Sequence, residues 1–180
     1  MEREKEKIKI GEYEFREVES ELLPDGRVSL QYSLGDARKT TAKLWIKKLT
    51  GVNVNKENGY AFEGEFVSAK TSSKYSYAGI IANEGDVFVA VKEWGSWKHP
   101  GQKLVMLICK NGKMYECEIE HWNNKADKIK AISKVAQIFN ILQQKKDEVK
   151  KTYVIRVTED VLHELRKLGL AYEIIGGDGE

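Results

Sequence analysis

Leu104-Val105-Met106-Leu107-Ile108-Cys109-Lys110-Asn111-Gly112-Lys113-Met114-Tyr115-Glu116-Cys117-Glu118-Ile119-Glu120 reads as two strands around a turn. Asn-Gly between apolar-rich runs signals a two-residue type I′ hairpin, since both turn residues must take positive φ. That turn pairs Lys110 with Lys113, Cys109 with Met114 and Met106 with Cys117. Successive side chains alternate across a strand, so the two sulfurs face opposite sides of the sheet and no disulfide forms. Reduced core thiols in a cytoplasmic protein are expected.

Upstream, Val87, Val89 and Val91 alternate with Phe88 and Ala90, giving a strand that is apolar on both faces and therefore central. Period-two alternation continues outward. It marks strands at Ile8 to Val18, with Gly11 as a bulge, and at Arg27 to Leu34. Further strands are marked at Ala42 to Lys47, Tyr60 to Val67 and Tyr75 to Ile81. Pro24-Asp25-Gly26 supplies a turn between the first two. About eight short strands at regular spacing predict an antiparallel barrel or sandwich.

The period then changes. Ile129, Ile132, Val135, Ala136, Phe139 and Leu142 form a 3.6-residue stripe within residues 124–146, predicting one long amphipathic helix with a lysine-rich outer side. Asn123 or Asn124 can cap it. Beyond a polar stretch, Tyr153 to Val157 reads as a strand. Thr158 caps a short helix over Glu159 to Leu168, which Gly169 stops, and Leu170 to Ile175 reads as a last strand. The fold class expected is α+β, with a β-rich domain over 1–146 that includes the packed helix. A linker over 147–151 and a small β-α-β appendage over 152–180 follow.

Bulk properties narrow function only by exclusion. Hydrophobic residues at 41% and charged residues at 32% fit a folded domain, and a net charge of +2 announces neither nucleic acid nor membrane. Charge is uneven, however: residues 123–151 carry eight lysines against Asp127, Asp147 and Glu148, and residues 36–48 carry five bases against Asp36. The Lys and Glu richness fits a thermophile's composition. No apolar run is long enough to cross a bilayer, and the charged start Met-Glu-Arg-Glu-Lys-Glu-Lys lacks signal character.

Catalytic motifs are missing where they would be recognisable. Cys109, Cys117, His99 and His121 lack zinc spacing. Gly95 to Lys103 does not match a phosphate loop, and Gly95-Ser96 lacks the context of a nucleophile elbow. No cofactor, no metal and no catalytic residue is expected. Glu63 with Glu65, and the Glu116-Glu118-Glu120 row, read first as solvated sheet faces. Their alternative reading is a metal-dependent hydrolase or nuclease.

The remaining signal is aromatic and basic. Trp94-Gly95-Ser96-Trp97-Lys98-His99-Pro100-Gly101 predicts a loop that presents two indoles. A face is expected from Trp94, Trp97, Lys98, His99 and Lys103 together with Lys70, Lys74, Tyr75, Tyr77, Arg38 and Lys39. Aromatic platforms beside lysines suit sequence-tolerant single-strand binding. The leading expectation is a non-catalytic nucleic-acid-binding protein that prefers single strands. Its alternative is a protein-interaction or assembly module using the Trp94–Trp97 loop and the lysine-rich helix, with a homodimer among the assemblies expected.

Overall fold

A computed structural model describes residues 4–35, 41–53, 61–72, 76–96, 99–121, 125–149 and 158–169. At its centre the expected hairpin is present. β9 (His99–Lys110) and β10 (Lys113–His121) meet at Asn111 and Gly112, whose φ values of 54° and 71° are those a type I′ turn requires. Lys110 opposes Lys113, Cys109 opposes Met114, and Met106 opposes Cys117.

Around this hairpin an antiparallel seven-stranded sheet runs in the order β1-β2-β10-β9-β8-β5-β6. Its other members are β1 (Lys7–Ile10), β2 (Tyr13–Val18), β5 (Ala42–Val52), β6 (Phe62–Ser72) and β8 (Val87–Ser96). A second sheet of order β3-β4-β7 contains β3 (Glu21–Leu22), β4 (Val28–Ser33) and β7 (Tyr77–Ala82).

Both faces of the large sheet are covered. On one, Val28, Leu30, Tyr32, Ala78 and Ile80 of the small sheet pack on Leu44, Ile46, Phe88, Ala90, Val105 and Leu107. On the other, Ala131, Val135, Ile138 and Phe139 of α1 (Lys125–Val149) pack on Val89, Val91, Leu104, Met106, Ile108 and Tyr115. The architecture is an α+β sandwich of helix, large sheet and small sheet. Each large side chain so buried stabilises the fold by about 1.5–3 kcal/mol relative to exposure.

Three local expectations are corrected. The barrel alternative is not borne out: among the described residues the sheet is not closed, and β1 and β6 are its ends. A barrel leaves the outer face of each strand to solvent, whereas β8 and β9 are apolar on both faces and need two covering layers. Ile8 to Val18 is a hairpin and not one bulged strand, since Gly11 takes φ 60° in the turn between β1 and β2. The Pro24–Gly26 turn forms, its Gly26 N–H donating to the Leu23 carbonyl at 3.0 Å, but it joins β3 to β4 inside the small sheet.

Two compact units divide the chain, residues 1–143 and 144–180. Part of the polar stretch expected as linker is helical, because α1 continues to Val149. In the second unit α2 (Glu159–Lys167) follows Thr158 in extended conformation. Thr158 supplies no side-chain cap bond, and Gly169 at φ 67° ends the helix. The strands expected at 153–157 and 170–175, and Asn123 and Asn124, lie outside the described residues. No helix among the described residues is long and apolar enough to cross a membrane.

Candidate binding face on the β8–β9 arm

Trp94 to Gly101 is not an open loop. Pairing of β8 with β9 continues through Trp94↔Gly101 and Gly95↔Pro100 to Ser96↔His99, leaving only residues 97 and 98 between the paired ends. Two features make this extension feasible. Gly95, at φ 110°, donates its N–H to the Thr41 carbonyl and accepts from the Thr41 hydroxyl, which ties the arm to β5. Pro100 lacks an N–H, and among the described residues the pairing with β10 stops at His121 opposite Lys103, so no described ladder bond is lost on that side.

Directly opposed residues share a face. Lys92 and Trp94 continue the Phe88–Ala90 side of β8, and Lys103 and Gly101 continue the Val105–Leu107 side of β9. Across four strands Lys103 opposes Lys92, Lys92 opposes Leu44, and Leu44 opposes Lys70. Three lysines therefore lie in one transverse row. The adjacent row is Gly101, Trp94, Ala42 and Ser72.

Glycine at 101 is what seats the indole. A Cβ there would stand 2.5 Å from Trp94 Cε2 and 2.6 Å from Nε1, so the half-buried ring occupies the space a side chain would fill. Lys103 Nζ lies 5.8 Å from the ring centroid, within cation–π range. Lys92 Nζ sits 4.3 Å from the Tyr32 ring centroid, and the Tyr32 hydroxyl donates to Glu116 at 3.0 Å. Lys103 also pairs with Glu118 at 3.0 Å.

Burial pushes the Lys92 ammonium below the ordinary lysine value; Glu116 opposes that shift and Lys103 adds to it. Burial, reinforced by Glu116, raises the Tyr32 phenol and keeps its proton on. Like charges directly opposite each other on neighbouring strands destabilise a sheet. The Lys92–Lys103 juxtaposition is thus a cost to the sheet, relieved in part by the two glutamates and the Tyr32 ring.

The other sequence-derived site residues fall variously. Lys70 shares the lysine row. Tyr77 does not share the face: Ala78 and Ile80 point into the sandwich, and Tyr77 is exposed on the outside of the small sheet. His99 is placed by its pairing with Ser96, while its side chain lies outside the description. Trp97, Lys98, Lys74, Tyr75, Arg38, Lys39 and Trp122 lie outside the described residues. Trp45, half-buried on the helix-covered side, packs edge-on against Phe62 and Phe66 at 6.5 and 5.8 Å.

Lys92, Tyr32 and Glu116 complete the described face, and only the cross-strand register brings them together. For catalysis the arrangement offers little. Glu116 is engaged by Tyr32 and Glu118 by Lys103, while a register shift between Glu118 and Glu120 interrupts that row. Glu63 and Glu65 are exposed at the sheet end. Among the described residues no three His, Cys, Asp or Glu side chains converge on a metal-sized site. The chain matches no family model, no curated protein and no solved structure.

Proposed function

We propose that this protein is a non-catalytic nucleic-acid-binding protein that prefers single strands and uses the β8–β9 arm. The observation that carries the reading is the indole of Trp94 seated on Gly101 beside the row Lys103, Lys92 and Lys70. A base stacks on the indole, and the lysines follow the phosphates. Stacking of this kind is worth roughly 1–3 kcal/mol per base. Repulsion between Lys92 and Lys103 is relieved when a phosphate stands between them.

Tryptophan fluorescence titration with single-stranded and duplex oligonucleotides tests the reading. Quenching by single strands is expected, with affinity falling as salt rises. Three phosphate contacts give a log–log slope of roughly −2 on a single strand. Absence of quenching at low salt, or binding indifferent to salt, rejects the proposal. A second reading, self-assembly, is supported by the exposed Phe66 and Val67 on β6.

A further inference from the structure

We infer that β6 is a homodimerisation edge, pairing antiparallel with β6 of a second copy about a two-fold axis between Val67 and Ser68. Among the described residues β6 pairs with β5 alone, and its eleven residues end the large sheet. Phe66 is 63% exposed and Val67 36%, large apolar side chains at the middle of an open strand. Such an edge is a template for a further strand.

A bulge selects the occupant. Ile46 opposes Ser68 and Lys47 opposes Phe66, so Val67 is an extra residue that resets the alternation. Glu65 opposes Lys48 and Lys70 opposes Leu44; Lys48 and Leu44 are four apart on β5, so Glu65 and Lys70 share a face. By the same logic Phe66, opposite Lys47, shares the other face with Ala69, opposite Trp45.

A two-fold axis between Val67 and Ser68 then sets Glu65 against Lys70 of the second copy, and Lys70 against its Glu65. On the other face Phe66 meets the small Ala69. Both pairings match in face and in chemistry, as an isologous contact demands. At the far end of the sheet, β1 paired with itself about Ile8 would instead set Lys7 against Lys9. Self-complementarity at β6 therefore names a second copy of this chain.

The inference is independent of nucleic-acid binding, although Lys70 serves both. Glu65 separates them, because a lysine there breaks the dimer while adding positive charge for a polyanion. Sedimentation equilibrium on the full chain, with Glu65→Lys, Lys70→Glu and the double variant, is the test. Each single reversal creates two like-charge pairs and is expected to weaken dimerisation about tenfold. The double variant restores both ion pairs with signs exchanged, and its affinity returns to within about twofold of the original. A monomeric parent protein at all concentrations, unaffected single variants, or a double variant that stays dissociated each overturns the inference.

Discussion

The two halves of the β8–β9 hairpin make different use of the same pair of strands. In one half, Val87 to Val91 and Leu104 to Ile108 are buried on both faces, between α1 and the small sheet. In the other half, Lys92 to Gly95 and Gly101 to Lys103 are half-buried and alternate charge, aromatic ring and glycine. Strand pairing is continuous across the join. What changes is the covering, and composition follows the covering. The buried half fixes the arm, and the half-buried half carries charged side chains that full burial would penalise more heavily.

The largest effect should come from the buried half. Phe88 is 1% exposed and lies between β4, β7 and β9 residues. Phe88→Ala should cost about 3–5 kcal/mol in urea unfolding, since truncation leaves a cavity that packed neighbours fill only partly. A loss below about 1 kcal/mol would show that the two halves do not differ as described.

Trp94→Ala should reverse the emphasis. Binding of single-stranded oligonucleotide is expected to weaken roughly 5- to 150-fold, equivalent to the loss of one stacked base at 1–3 kcal/mol, with less effect on unfolding than Phe88→Ala. Gly101→Val sharpens the point, because it keeps the indole and removes its seat. The tryptophan emission should shift and binding should fall toward that of Trp94→Ala. Full affinity in Gly101→Val would mean that the seating of the ring on Gly101 is irrelevant to binding.

This contrast also explains what could be read from the chain alone. The Asn111–Gly112 hairpin and the two-faced strand at Val87 to Val91 are local facts: a turn chemistry and a periodicity. At Gly11 the sequence pattern fits a bulge, but bulge and turn differ only in which residues pair across the glycine, and that pairing is not local. Trp94 to Gly101 carries loop residues, yet Gly95 serves the Thr41 contact, Gly101 seats a ring, and Pro100 sits where no described partner strand needs its N–H. The lysine row and the Tyr32–Glu116 support depend on register across strands far apart in sequence. No local pattern encodes that register.

The thiols test the buried region through pH. Burial pushes Cys109 and Cys117 from the ordinary 9.0 up to about 11. Between those values the unfolded chain has released thiol protons that the folded chain retains, so stability must fall as pH rises from about 9 to 11. The double variant Cys109→Val/Cys117→Val should show a shallower alkaline decline in thermal unfolding than the parent. Parallel declines would mean that neither sulfur is sequestered. In the native protein at pH 8 both should also react with a thiol reagent far more slowly than after unfolding.

The smallest effect expected separates Lys103 from the carboxylate that now holds it. Glu118 is largely exposed, its side chain 63% accessible, and its ion pair with Lys103 is a surface pair worth under about 1 kcal/mol. Glu118→Gln should therefore leave unfolding within about 0.5 kcal/mol of the parent. Removing that negative charge leaves Lys103 without its ion-pair partner beside the indole and takes a repulsive charge from the path of a phosphate. Single-stranded oligonucleotide should bind about two- to threefold tighter, most clearly at low salt, where surface charges are least screened. Weaker binding in Glu118→Gln would instead make Glu118 part of the recognition surface, and the half-buried part of the arm would then suit a basic partner better than a polyanion.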